Sequence, residues 1–249
     1  MIDLSNTDVI LLSAGTGKRL GKIGKIKPKS LIKIKNETLL IRIIKILAKR
    51  KATKISVMVG YKSQKIKKEL KKMRKIQFKF IKVKEYQKYG HSYTWYLFNK
   101  FWNKKNNLLL LHTDIIFNKD ILDNILKSNI KDIIGIQSTK MHKPNVSSFV
   151  VQTNNKNIIK RIDHPKNLKK YSGIIIGINK ISASTMKKIF KYMKNKFKSK
   201  NNRKLNWENI IDMFINEIKP TISALPKQTA SWVNINKVSD LNKAKKIFQ

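Results

Sequence analysis

The chain has no cysteine among its 249 residues. Disulfides, zinc–thiolate centres and thiol nucleophiles are therefore excluded. Acidic residues are scarce: 14 Asp and Glu stand against 56 Lys and Arg, a formal net charge of +42. No segment approaches the ~20 apolar residues that a membrane-spanning helix needs. The N-terminal MIDLSNTDVILLSAG carries neither the cationic stretch nor the small-residue cleavage site of a secretory leader, so a cytoplasmic location without membrane insertion is expected. Internal repeats and long linkers are also missing. These absences favour one α/β domain over residues 1–249, with a first half to residue 118 and a second half from 119.

The apolar fraction of 41% is ordinary for a chain that builds a large core. The lysines are spread through nearly every helix and loop beside abundant Ile and Asn, the composition an AT-rich genome favours. No groove-reading motif accompanies them, so nucleic acid is not the expected partner. A positive field of this kind steers anionic small molecules, and salt weakens it.

Apolar runs alternate with amphipathic segments. Strands are expected at Val9–Ser13, Lys54–Val59, Gln77–Lys82, Leu108–His112, Ile133–Ser138, Ser148–Thr153 and Gly173–Asn179. Helices are expected at Leu39–Arg50, Lys62–Arg74, Ser92–Trp102, Ser184–Phe197 and Trp207–Glu217, with a last one from near Asp240. Unbroken apolar strands between helices predict a three-layer, Rossmann-like α/β fold: a mixed, mainly parallel sheet with helices on both faces.

The first strand runs through Leu12 into Ser13-Ala14-Gly15-Thr16-Gly17-Lys18-Arg19, and Pro28-Lys29-Ser30-Leu31 follows. Glycines directly after a buried strand let backbone N–H groups approach phosphates closely, and Lys18, Arg19 and Lys29 add three cations. Gly21 falls one residue too late for the dinucleotide fingerprint, and no P-loop spacing is present. Farther on, the buried run LLLLHT ends in Asp114, which is conspicuous in a chain so short of acids.

Strand, Ser-Ala-Gly-x-Gly-x-Arg and Pro-Lys-x-Leu in this order resemble the signature of the nucleotidyltransferases that include sugar-1-phosphate nucleotidylyltransferases and phosphocholine cytidylyltransferases. Ser13 stands for the family's first Ala. The resemblance implies that Leu12 to Lys18 and Arg19 hold the NTP, that Lys29 bridges the reacting phosphates, and that Asp114 binds Mg²⁺. Trp232-Val-Asn-Ile-Asn236-Lys-Val-Ser-Asp-Leu241 is similar to the family's W-x-x-I-D-T-x-x-D-L, so Asn236 occupies the place of a second metal-binding Asp. An amide oxygen can ligate Mg²⁺, though without charge. An Asn at this place occurs in the N-acetylglucosamine-1-phosphate uridylyltransferase branch.

Ile158–Pro165 followed by the Gly173 strand resembles the acceptor-contacting stretch of the sugar branch, with Asp163 for its Glu and His164 for its Lys. Glu85-Tyr-x-x-Tyr89-Gly-His91-Ser92 and Asn206-Trp207-Glu208 are similar to the phosphocholine cytidylyltransferase branch. That likeness implies His91 and Ser92 near the base and ribose, and Asp163, Gly173, Trp207 and Glu208 near the acceptor. Tyr93, Trp95, Tyr171 and Trp207 are candidates for a cation–π cage, against the alternative that they are core aromatics.

The implied reaction is in-line attack of an acceptor phosphate on the NTP α-phosphorus, with Mg²⁺ as cofactor and pyrophosphate as leaving group. A phosphate nucleophile is already ionised, so alignment and charge neutralisation carry the catalysis. CTP and a phosphocholine-like acceptor are the expected substrates. A sugar-1-phosphate nucleotidylyltransferase using UTP, GTP or dTTP and, more remotely, a basic non-catalytic nucleic-acid binder are the alternatives.

Overall fold

A computed structural model describes residues 2–138, 143–227 and 231–248. In chain order the elements of the first half are β1 (Thr7–Ser13), α1 (Lys22–Ile26), β2 (Lys33–Ile34), β3 (Glu37–Thr38), α2 (Leu39–Ala48), β4 (Lys54–Val59), α3 (Ser63–Leu70), β5 (Gln77–Lys82), α4 (His91–Phe98), β6 (Asn107–His112) and β7 (Ile115–Phe117). There follow α5 (Lys119–Lys127), β8 (Ile133–Ser138), β9 (Val150–Thr153), β10 (Ile159–Asp163), β11 (Gly173–Ile181), α6 (Ala183–Lys196), α7 (Trp207–Ile218), β12 (Ser223–Lys227), β13 (Trp232–Asn234) and α8 (Val238–Ile247).

The central sheet runs β10-β9-β11-β6-β1-β4-β5, with β8 on the other edge of β11 and β12 beside β8. Pairing is parallel across β5-β4-β1-β6 and between β8 and β12. It is antiparallel where β11 meets β6, β8 and β9. This is the expected mixed α/β architecture. Both halves of the chain contribute to the one sheet.

The strands are apolar on both faces because both faces are covered. Ile10, Leu108 and Leu110 point into a core shared with Trp95 and Phe98 of α4, Met186 and Phe190 of α6, and Trp207 and Phe214 of α7. The alternate residues Val9, Leu11, Leu109 and Leu111 point the other way, against Ile43 and Leu47 of α2, Ile66 of α3 and Ile121 of α5. A third cluster of Leu20, Ile32, Ile34, Ile116, Val233, Ile235 and Leu241 fastens the segment after β1 to the C-terminal segment. It draws Lys29 and Asn236 towards each other.

Helix starts follow local chemistry. Thr38 Oγ1 accepts from Ile41 N at the head of α2, and Ser182 Oγ accepts from Thr185 N at the head of α6. Helices α2, α3 and α4 end sooner than expected. Arg50 leaves α2 to pair with Asp123 of α5 at 2.5 Å, and α3 stops at Leu70, its last buried residue. Helix α4 starts one residue early, at His91, and ends at Phe98. The stretch read only as preceding the Gly173 strand forms β10, paired antiparallel with β9. The β7–β13 ribbon was not foreseen, since three-residue strands give too short a pattern to read.

Gly177 sits in β11 at φ +78°, where the register with β8 shifts between Ile175 and Asn179. A Cβ there would lie 2.9 Å from His112 Cγ and 3.0 Å from its Cβ. Only glycine both takes this conformation at low cost and lets the backbone lie against that imidazole. Gly177→Ala is expected to cost about 1–3 kcal/mol. Thermal unfolding should show a fall of several degrees, and an unchanged midpoint would contradict the assigned role.

Candidate active site

Parallel strands β1 and β6 end side by side, and a cavity of about 430 Å³ opens beyond their C-terminal ends. Open α/β sheets place ligands at this location. Strand β1 delivers the Gly15–Arg19 turn, and β6 delivers His112 and then Asp114. Gly17 takes φ +66°, Leu20 N bonds back to Gly17 O at 3.0 Å, and a Cβ built on Gly15 would meet nothing within 4 Å. The turn is thus held from behind while its backbone faces open space.

Lys29 reaches the same place from the following loop. Its neighbour Ser30 is buried and accepts a 2.7 Å hydrogen bond from Ser13 Oγ at the end of β1. The Lys29 ammonium donates to Asp114 Oδ2 at 2.6 Å and to Asn236 Oδ1 at 2.7 Å. Arg19 donates to that amide oxygen at 2.8 Å and to Ser147 Oγ at 3.3 Å. The C-terminal segment is held in register by Ile235 N donating to Asp114 O and by Asn236 N donating to Asp240 Oδ2, both at 2.8 Å. Four segments far apart in sequence therefore meet at one point.

Electrostatics follow from this packing. Burial alone would raise the Asp114 carboxyl, but the charge and hydrogen bond of the Lys29 ammonium, with smaller contributions from His112 and His91, together hold the group well below the usual carboxylate range. His112 is pushed down to about 4, chiefly by burial, and burial likewise lowers His91. The indole Nε1 of Trp207 donates to His112 Nε2 at 2.8 Å, across 95 positions of chain. That bond leaves the imidazole proton on Nδ1, which lies 3.9 Å from Asp114 Oδ1. Glu208 lines the cavity at 7% exposure, and burial pushes its carboxyl up to about 8.

The structure brings together Gly15, Thr16, Gly17, Lys18, Arg19, Lys29, His91, Asp114, Glu208 and Asn236 on the cavity wall. Leu12, Ser13 and Ala14 line a smaller recess beneath it with His91, Thr94 and Asp114. Other expected site residues are placed elsewhere. Ser92 is fully buried and its hydroxyl donates to Leu205 O at 2.7 Å. Asp163 Oδ1 accepts from His164 N and Asn167 Nδ2 of its own turn. Gly173 lies within the sheet, where a Cβ would meet Ile136 Cδ1 at 2.6 Å. Trp207 is 1% exposed and stands edge-on to Trp95 at 6.3 Å, both inside the core. The two indoles pack as core aromatics, and the four-residue cage does not form around them.

Sequence reasoning missed His112, Tyr86, Asn145, Ser147, Phe149, Asn206, Asn234 and Lys243, which also line the cavity. His112 carried one readable signal, its place two residues before Asp114 at a strand end. Tyr86, Asn206 and Asn234 stand inside the quoted motif stretches at positions given no role, while Asn145, Ser147 and Phe149 precede β9 and Lys243 lies on α8, all without a motif.

Comparisons with known proteins bear on the family and the fold. The family model described as "Nucleotidyl transferase" matches residues 8–249. The bifunctional protein GlmU of Wigglesworthia glossinidia brevipalpis is 24% identical over 250 residues, covering 97% of this chain and 52% of that protein. The chain thus spans about half the length of this curated relative. Among solved structures, a CTP:phosphocholine cytidylyltransferase from Streptococcus pneumoniae matches at TM-score 0.77 and 18% identity, covering 98% of this chain and all of that one. An inositol-1-phosphate CTP transferase from T. maritima matches at TM-score 0.81 and 17% identity, over 99% and 96% of the two chains. At such identities the structural likeness speaks for the fold.

Glu208 binds its proton more tightly folded than unfolded, so its contribution to stability declines as pH rises between the ordinary carboxylate range and about 8. Denaturant unfolding at pH 5 and pH 8 should show that decline, and Glu208→Gln should flatten it. An identical pH dependence in the variant would mean that Glu208 is already ionised. Asp114 acts with the opposite sign: its folded pKa is depressed, so stability falls as pH drops below the ordinary carboxylate range.

Proposed function

The chain belongs to the nucleotidyl transferase family, and from that premise we propose that it transfers a nucleoside monophosphate from an NTP to a small phosphorylated acceptor, releasing pyrophosphate. The observation that carries this reading is the convergence of Lys29, Arg19, Asp114 and Asn236 beside the glycine turn. Cations and exposed backbone N–H groups on one side suit a triphosphate; two oxygen ligands on the other suit a divalent cation.

The metal fits the donor set. Asp114 Oδ1 is buried and has no hydrogen-bond partner, while Asp114 Oδ2 and Asn236 Oδ1 are already drawn together by Lys29. Among the described residues no cluster of three His, Cys, Asp or Glu could enclose an ion. Mg²⁺ commonly takes one or two protein oxygens and completes its shell with water and substrate phosphates. Asp114 and Asn236 would hold it, and when bound it would neutralise charge developing on the phosphates.

The protein's own groups do the rest. The Gly15–Gly17 backbone binds the triphosphate, and Arg19 fixes its orientation from the open side. Lys29, only 14% exposed, sits where a transferring phosphoryl group gains most from a preorganised charge. No general base is needed, since the acceptor phosphate is ionised already. The neutral imidazole of His112 beside Asp114 adds no competing positive charge.

CTP is the proposed donor and a small phosphorylated compound with a polar or positive head is the proposed acceptor, with a sugar 1-phosphate as the rival. Two structural neighbours named for CTP chemistry support the donor, and Glu208 on the cavity wall supports the acceptor class.

A panel of four NTPs against phosphorylated acceptors, read by pyrophosphate release in Mg²⁺, tests the reading. Asp114→Ala should abolish turnover in a folded protein, and Asn236→Asp should be tolerated. Lys29→Ala should slow the chemical step by roughly 10²–10³-fold, whereas Lys68→Ala and Lys188→Ala should not. Near wild-type turnover by Asp114→Ala would overturn the metal assignment. A Lys29 variant that behaves like the two surface variants would remove its proposed role.

A further inference from the structure

We propose that Glu208 selects the acceptor, and that the head group it selects is an ammonium bearing at least one N–H rather than a quaternary ammonium or a neutral hydroxylated ring. This rests on the transfer reading above and specifies its acceptor. The inference starts from which buried polar atoms on the cavity wall lack a partner. They are Asp114 Oδ1, Glu208 Oε2 and Asn234 Oδ1. All three are oxygens; Asp114 Oδ1 and Asn234 Oδ1 accept, and Glu208 Oε2 accepts once a cation in the cavity draws its carboxyl to the ionised form. Asp114 Oδ1 is accounted for by the metal; Glu208 Oε2 is not.

A buried oxygen without a donor is costly, and a ligand that brings the donor recovers that cost. An ammonium is donor-only, whereas each hydroxyl brings an acceptor that needs a donor of its own. Ile174, Ile175, Ile176 and Val233 share the wall with donors such as Tyr86, Asn145 and Asn206, so it is charge that separates an ammonium from a hydroxylated ring. Asp114 is paired with Lys29, and Asp240 accepts from two backbone N–H groups. Glu208 has a backbone N–H of its own as partner but no cation, and its Oε2 is left without a donor, in a chain with 56 basic residues against 14 acidic ones.

A quaternary head would supply the charge but no donor. The aromatic faces that such a head favours are also reduced, because Trp207 and Trp95 are turned into the core. Phe149 and Trp232 do line the cavity, but Phe149 stacks on His164 at 4.2 Å and Trp232 is held by a hydrogen bond to Ile176 O. Neither can satisfy a carboxyl oxygen.

The test is a methylation series at constant charge: phosphoethanolamine, its N-methyl and N,N-dimethyl forms, and phosphocholine, with glucose 1-phosphate as the neutral comparison. In the wild-type protein kcat/KM should change little until the last N–H is lost, then fall on the order of tenfold or more. Glu208→Met, which removes the acceptor at similar volume, should erase that step while circular dichroism confirms folding. A gradual decline with every methyl, a step that survives in Glu208→Met, or faster turnover of glucose 1-phosphate would overturn the proposal and leave nucleotidyl transfer standing. Absence of pyrophosphate release with every acceptor would instead remove the transfer reading on which it rests.

Discussion

The placement of one ammonium group organises this molecule. Lys29 Nζ lies within 2.7 Å of an oxygen from Asp114 and an oxygen from Asn236, and the three residues are 85 or more positions apart in the sequence. Holding them together requires three separate arrangements. The Ser13–Ser30 hydrogen bond ties the Lys29 loop to the end of β1. The β7–β13 ribbon and the Ile235–Asp114 backbone bond set the C-terminal segment beside β6. The apolar cluster around Leu20, Ile116, Ile235 and Leu241 backs the junction. A charge with little solvent around it is stable only among such partners, so the packing and the electrostatics of the site depend on each other.

The scarcity of acids sharpens the pattern. Most of the described carboxylates are engaged in holding the fold. Asp132 accepts from Ser182 N and Thr185 Oγ1 at the head of α6, Asp212 accepts from Ile162 N on β10, and Asp8 accepts from Asn103 N. Asp123 pairs with Arg50, and Glu217 with Lys196. Against these, Asp114 and Glu208 face the cavity, and their surroundings drive them apart. The nearby lysine keeps the first ionised, while burial without a cation favours the protonated form of the second. Divergent environments for two carboxyl groups in one cavity are the usual mark of divided roles.

His112 and Trp207 connect these two acids. The indole can only donate, so it fixes which imidazole nitrogen carries the proton, and Glu208 follows Trp207 directly on the first turn of α7. The close approach of the Gly177 backbone to the same imidazole limits its freedom from another side. A tryptophan read as an acceptor contact thus acts from the core, through His112, two residues before Asp114.

Much of the fold was legible from local pattern. Runs such as Val9–Ser13 and Leu108–His112 are apolar without alternation because both faces of the sheet are covered, and that pattern does not depend on knowing the partners. The glycine turn and Asp114 were legible for a similar reason, since each follows a buried strand end, whereas Lys29 was legible through the resemblance carried by Pro28-Lys29-Ser30-Leu31. Burial and long-range contact were not written locally. Whether Trp207 offers its face to a ligand or its N–H to His112 depends on α7 packing against α4, and Ser92 turns inward because Leu205 O lies beneath it. That Glu208 Oε2 lacks a partner follows from what surrounds it in three dimensions. The sequence by itself determined the long apolar strands and which residues carry charge at their ends; only the tertiary structure decided the short strands, which of those groups meet and which are left unpaired, because neighbours across the sheet are set by packing and not by position in the chain.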